Sequence, residues 1–363
     1  MKTFIYAAET TFLLLGTIIG SGFISGREIV SFFGGNICFF AFFAGVLFFF
    51  TTYLLLRLGG RYGTFEESNR ALFGRAHKTV GWATAVCLFT VVASSLAMTD
   101  SMMNSLFGID GRIPAASLLT LAVAFISARR GLDGVKKLNA VLVPLMLALT
   151  TVFLFVKGDF DFGAPAYPAD SNVFSVCFYV GFNMFLSAAV IVRAGDGNRK
   201  HALLTAAISG AVTAVFIVLI YGAVNYEGIN AAEADLPLAA LFSYSAFMSA
   251  AFGAVLYAGA LTTVVCSYYP LSEAVSRKSR MFSVTLAVGV FLFSRIGVKT
   301  IVGAAYPAAG VLGALYFIYA AVVSAYKNKP FGKIKNKEKN KEKENAEKKE
   351  KDKSSPPFRR GLQ

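Results

Sequence analysis

The sequence predicts an all-α membrane protein of ten transmembrane helices, built as two five-helix halves whose first and sixth helices are interrupted. Three observations carry this expectation. The 363 residues are 56% hydrophobic with a mean hydropathy of +0.60, too apolar for a soluble globular chain. The charges are clustered, which leaves ten charge-free runs. The first of those runs holds Gly16, Gly20, Gly22 and Gly26 among hydroxyl residues, a poor composition for a continuous helix.

The runs are 10–26, 29–56, 79–99, 113–128, 138–156, 171–192, 202–226, 236–272, 281–294 and 300–326. A hydrocarbon core of about 30 Å takes roughly 20 helical residues, so each run predicts one crossing. The eighth run is too long for one helix, and Leu236 to Tyr244 is expected to lie outside as a short helix. Runs four and nine are short and need flanking residues or tilt. The halves fall at 1–156 and 157–326, and a third segment, 327–363, follows.

Orientation is read from Lys and Arg in the connections. The connections after runs two, four, six and eight hold fifteen, including Arg57, Arg61, Arg129, Arg130, Lys137, Arg193 and Arg277. The alternate connections hold five: Arg27, Arg112, Lys157, Arg295 and Lys299. The bias places both termini in the cytoplasm. From Lys327 the chain becomes Lys/Glu-rich, with 14 basic and six acidic residues and almost nothing apolar to bury. That composition predicts a disordered tail drawn to anionic inner-leaflet lipids, and its lack of interleaved aromatics or a folded scaffold argues against nucleic acid.

The segment Gly16-Thr17-Ile18-Ile19-Gly20-Ser21-Gly22-Phe23-Ile24-Ser25-Gly26-Arg27-Glu28 organises the functional reading. A helix breaks at membrane depth only where the freed backbone groups are buried in protein or line a polar cavity. The sequence therefore predicts a discontinuous first helix that offers amides and carbonyls to a ligand. In the sixth run, Tyr179-Val180-Gly181-Phe182-Asn183 puts a glycine beside an amide at mid-span. This reads either as a second interruption or as close helix packing. Interrupted helices at corresponding places in two halves point to a transporter built of inverted repeats.

Gly20-Ser21-Gly22-Phe23-Ile24-Ser25-Gly26-Arg27-Glu28-Ile29, followed by Phe32-Phe33, resembles the G-A-G-F-A-S-G-Q-E-I segment of the YkvI-like bacterial membrane proteins. These are permease-type proteins related to the amino acid–polyamine–organocation superfamily. The resemblance covers residues 1–326. It implies the LeuT-like five-plus-five inverted-repeat fold, with a small solute held between helices 1 and 6. Ser21 and Ile24 replace alanines of that segment and Arg27 replaces glutamine. The Lys/Glu tail lies outside it.

A helix restarting at Ser21 would set Ser21, Ser25 and Glu28 on one face. Together with Gly20, Gly22, Phe23, Tyr179, Gly181, Phe182 and Asn183, these are the candidate solute-binding residues. Freed N–H groups at the positive end of the restarting helix suit a carboxylate-bearing solute, while freed carbonyls of Ile18, Ile19 and Gly20 suit Na⁺ or a solute's ammonium group. Thr262 and Thr263 resemble the hydroxyl pair that completes a Na⁺ site in sodium-coupled relatives; otherwise they bond their own preceding turn. Glu28 either binds a cation or carries a proton, or serves as an ion-pair partner near the outer interface. Glu9 is a gate partner for a cytoplasmic Arg or an interfacial residue. Asp100 lies far enough along the third run to reach the outer surface.

The function expected is secondary transport of a small polar solute, an amino acid or related amine, coupled to Na⁺ or H⁺. A ligand sensor on the same fold, of the germinant-receptor type, is the rival. No resident cofactor or structural metal is expected. The four cysteines are isolated and read as small buried hydrophobes, and His77 and His201 sit in basic loops. No hydrolase, metalloprotease or phosphate-loop motif occurs, so an enzyme is not expected.

Overall fold

In a computed structural model of the chain, residues 2–107, 114–165, 172–196, 201–228, 234, 236–276, 280–296 and 298–326 are described. The chain forms two compact units, 1–320 and 321–363, and the architecture below is that of the first. The basic tail lies outside the described residues.

Every regular element described is helical. In chain order these are α1 (Lys2–Ile18), α2 (Ser21–Ile24), α3 (Arg27–Phe32), α4 (Ile37–Tyr62), α5 (Phe65–Phe73) and, after a short 3₁₀ turn, α6 (His77–Phe107). There follow α7 (Ala115–Arg129), α8 (Gly131–Lys157), α9 (Val173–Gly195) and α10 (Ala202–Glu227). The remainder are α11 (Pro237–Ala240), α12 (Ala246–Ser276), α13 (Arg280–Ser294) and α14 (Val298–Tyr326).

Among the described residues, seven stretches are long and apolar enough to cross a membrane: α4, Phe65–Met103, α8, α9, α10, Ala246–Ala274 and Ala308–Ala325. Three shorter apolar helices, Ala8–Ile18, Ala115–Arg129 and Ser283–Ser294, fall on the first, fourth and ninth charge-free runs. Large apolar side chains such as Phe42, Trp82, Phe174 and Phe247 point outward. On a chain with this many apolar helices, that outer surface suits lipid. The chain is a multi-pass membrane protein.

Local signals set the helix ends. Asn36 opens α4 by accepting the Phe39 amide at 3.2 Å, and Asn172 opens α9 by accepting the Ser175 amide at 2.9 Å. Thr64 and Glu67 form a capping box at the start of α5, with the Glu67 amide 3.2 Å from the Thr64 hydroxyl. As expected, a short helix (α11) precedes the eighth long one, with Pro237 in its first turn.

Glycines let helices meet backbone to backbone. Gly45 of α4 faces Gly210 of α10, with no room for a side chain between them. Gly59 of α4 packs on the Val192 carbonyl of α9, and Gly195 packs on the Leu56 carbonyl of α4. Without a hydrophobic force between helices in lipid, such close contacts supply much of the association energy.

The helix on the sixth charge-free run corrects one expectation. α9 runs unbroken from Val173 to Gly195, through Gly181 and Asn183. Gly181 is there because α14 crosses against it: an added Cβ would lie 2.7 Å from the Ala314 nitrogen and 3.0 Å from the Gly310 carbonyl. Asn183 returns its Nδ2 to the Tyr179 carbonyl at 3.1 Å, one turn back along its own helix. Close packing, not a break, accounts for the glycine.

Cysteine placement also differs in part. Cys87 and Cys266 are buried, but Cys38 is exposed and Cys177 half-buried.

Candidate solute-binding site

The first helix ends where the glycines begin. Its backbone bonding closes with the Ile19 amide on the Leu15 carbonyl (2.6 Å) and resumes with the Ile24 amide on the Gly20 carbonyl (3.0 Å). Among the described residues, the carbonyls of Gly16, Thr17, Ile18 and Ile19 receive no backbone hydrogen bond. The Gly20 carbonyl is taken by the restarting turn, so the freed set lies mostly one step earlier than Ile18, Ile19 and Gly20. Gly20 itself is extended (φ −93°, ψ −170°), a conformation open to any residue. It is glycine because Thr263 of α12 sits against its α-carbon. Gly259, one turn earlier on α12, brings that helix onto the Ser21 nitrogen, 3.1 Å from where a Cβ would stand.

A second change of direction comes at Gly26, whose φ of +81° is left-handed. It separates α2 from α3 and rotates Glu28 relative to Ser21. The Glu28 side chain folds back so that Oε1 lies over Gly22, where any side chain would collide with it.

These features border a cavity of about 40 Å³. Thr17, Ile18, Gly20, Ser21, Gly22 and Glu28 line it from the interrupted segment. The sixth helix contributes Phe182, Asn183, Leu186 and Ser187, and α12 contributes Thr263, Cys266 and Ser267. On α6, Val91, Ser94, Ser95 and Met98 complete the wall. The Ser21 hydroxyl points at the Met98 sulfur, 3.4 Å away. The Tyr179 hydroxyl and Asn183 lie against the Glu28 carboxyl, and both Glu28 Oε2 and the Tyr179 hydroxyl are buried, short of close hydrogen-bonding geometry. The Tyr179 ring is wedged between Phe32 and Phe33, with ring centroids 5.3 and 5.2 Å away.

Several expected residues stand elsewhere. Ser25 does not face the cavity; it is fully buried, bonds the Gly22 carbonyl at 3.0 Å, and offers its own carbonyl to the Leu238 amide of α11 at 2.7 Å. The turn at Gly26 destroys the single helical face that joined it to Glu28. Phe23 and Ile19 are buried away from the cavity, as is Gly181. Thr262 is fully buried and bonds the Gly259 carbonyl at 2.9 Å, whereas Thr263 makes the same bond at 3.0 Å and still reaches the cavity. Arg27 is exposed, apart from the cavity.

Residues of α6 were not legible as site residues. Ser94-Ser95 in an apolar helix is the only local hint, and Ser94 bonds its own preceding turn at 3.0 Å. Asn139 of α8 was also missed: it donates to the Cys266 sulfur at 3.4 Å and points its unpartnered Oδ1 at Gly16. Lys136, near the start of α8, is buried, with Asp133 and Glu9 the acidic residues that act on it. Asp100 does not end in water. It is buried, ion-paired with Arg295, and accepts the Ser117 amide at 2.9 Å, tying α6, α7 and α13 together.

No family model matches the chain. Its sequence is 24% identical over 335 residues to the uncharacterized membrane protein YkvI of Bacillus subtilis (strain 168), covering 86% of this chain and 94% of that protein. The chain is similar to YkvI.

Its fold is shared with solved transporters, as the YkvI-like segment implied. MhsT in complex with L-phenylalanine superposes with a TM-score of 0.63 at 14% identity, covering 90% of this chain and 93% of that one. A Na⁺-coupled sialic acid symporter in a substrate-bound outward-open state gives 0.58 at 13%, covering 88% and 75%. Mhp1, a nucleobase-cation-symport-1 family transporter with bromovinylhydantoin bound, gives 0.52 at 15%, covering 86% and 78%. YkvI and this chain thus resemble each other along nearly their whole length.

Proposed function

We propose that the chain is a secondary active transporter of a small polar solute, an amino acid or related amine, coupled to Na⁺ or H⁺. The observation that carries this reading is the cavity beside Gly20–Gly22. Unbonded carbonyls, serine and threonine hydroxyls and one carboxyl converge there in an otherwise apolar interior. Polar groups at membrane depth are costly unless they meet a partner, and here the partner is the solute and its coupling ion.

The ten charge-free runs are read as ten crossings, seven long and three short, with both termini cytoplasmic. The two five-helix halves, 1–156 and 157–326, are the inverted repeats. Transport then proceeds by rocking a bundle containing the first, second, sixth and seventh crossings against the others. Symporters of other solutes share this fold, among them a Na⁺-coupled one, which favours coupled transport over a channel. Carbonyls of Thr17 and Ile18 with the Thr263 hydroxyl make a hard-oxygen set suited to Na⁺, and Glu28 is the group suited to a proton.

The test is uptake into proteoliposomes with imposed Na⁺ or proton gradients, using a panel of amino acids and small amines. Gradient-dependent accumulation that falls about tenfold or more in Glu28→Gln supports the reading. Saturable binding with no accumulation under either gradient replaces it with a ligand sensor.

A further inference from the structure

We propose that the cavity takes a small amine cation that carries no carboxylate of its own, with Glu28 as its counter-ion. This rests on reading the cavity as the solute site and goes on to name the solute's charge. Of the residues lining the cavity, Glu28 is the one with a charge to offer, and none is Lys, Arg or His. The nearest arginine in sequence, Arg27, is exposed. Around the carboxyl are groups suited to an ammonium: Asn183, Ser21, Ser187, Thr263 and the unbonded carbonyls of Thr17 and Ile18. Tyr179 and Asn183 lie against the buried Glu28 carboxyl, and Oε2 has no partner in close hydrogen-bonding geometry, which leaves it room to accept from an ammonium.

A zwitterionic amino acid would satisfy its ammonium here and strand its carboxylate beside Glu28 in a low-dielectric setting, where like charges repel strongly. A cation meets the complementary charge and no cationic side chain; the neutral amides at the start of α2 are all that would draw a carboxylate. Size agrees. A water takes roughly 10–15 Å³ by this measure of volume, so about 40 Å³ holds a few waters or a solute of few heavy atoms.

The experiment uses the full chain in lipid nanodiscs and calorimetric titration with matched pairs that differ only by a carboxylate: ethanolamine against serine, and ethylamine against alanine. Each titration is run in Na⁺ and in K⁺. The expected result is saturable binding of both amines, about tenfold or more tighter than the paired amino acid in either salt. Glu28→Gln, close in shape and uncharged, is expected to weaken amine binding by a similar factor. The wild-type pairs decide the matter even if that variant does not fold.

Absence of amine binding overturns the inference. So does serine or alanine binding as tightly as its amine, in Na⁺ alone or in both salts. A folded Glu28→Gln that keeps amine affinity overturns it too, since the carboxyl would then serve only a coupling proton. Uptake measurements separate this from the transport reading. Amine binding without accumulation removes transport and leaves the counter-ion role, whereas gradient-driven accumulation of serine does the reverse.

Discussion

Gly26→Ala tests the turn that aims Glu28. Gly26 sits at φ +81°, ψ −7°, a left-handed conformation that costs an L-residue about 1–2 kcal/mol. The new Cβ would lie 3.2 Å from Val224 Cγ2 and 3.4 Å from Ile220 Cγ2, so those side chains must yield. That crowding falls at the low end of the roughly 1–3 kcal/mol typical of overpacking. Reduced freedom of the unfolded chain returns about 0.4–1 kcal/mol, leaving a net loss of about 2 kcal/mol. Gly131 is the control: its φ is +69°, and nothing lies within 4 Å of its missing Cβ. Gly131→Ala therefore carries strain alone and should lose about 1 kcal/mol or less. In thermal unfolding of purified protein, Gly26→Ala should melt about 3–5 °C lower and Gly131→Ala about 1–2 °C lower. An unchanged melting point for Gly26→Ala, or a larger fall for Gly131→Ala, would refute the reasoning.

Two further predictions concern the walls of the cavity and its scaffold. Thr263→Val should weaken the Na⁺ dependence of solute uptake about tenfold, while Thr262→Val, whose side chain does not reach the cavity, should leave it nearly unchanged; a Na⁺ titration of uptake reads both. Equal effects would remove Thr263 as an ion ligand. Asp100→Asn should cost about 2 kcal/mol, because it leaves Arg295 without its anion and weakens the acceptor for the Ser117 amide. Combining it with Arg295→Gln should cost less than the two singles summed, as a double-mutant cycle on unfolding would show.

The parts of this architecture written locally could be read from the sequence, and the parts made by distant segments could not. The interruption after Ile18 was legible because glycines clustered inside an apolar run have few other uses. The position of Ser25 was not. A helical wheel assumes one axis from Ser21 to Glu28, and Gly26 bends that axis. Gly181 shows the opposite failure: a glycine beside an amide looks like a break until Gly310 and Ala314, over a hundred residues away, are seen pressing on it. Asp100 was placed at the outer surface by counting rise along a helix, which carries no information about Arg295. The serines of α6 join the cavity solely through tertiary packing. Their spacing gives no more than two hydroxyls in an oily helix.

The contacts that join α4 to α9 and α10 have a mechanical corollary. At Gly45, Gly59, Gly195 and Gly210 the main chains touch with no side chain to act as a cushion. Surfaces so closely apposed slide poorly, so these three rods travel as one plate. Phe182, Asn183 and Ser187 ride on that plate, while Ser94 and Met98 of α6 belong to a different helix across the cavity. On the transport reading proposed above, widening or emptying the hollow is then a matter of displacing one rigid slab past another, and a methyl group at Gly59 would be felt at a solute it never meets.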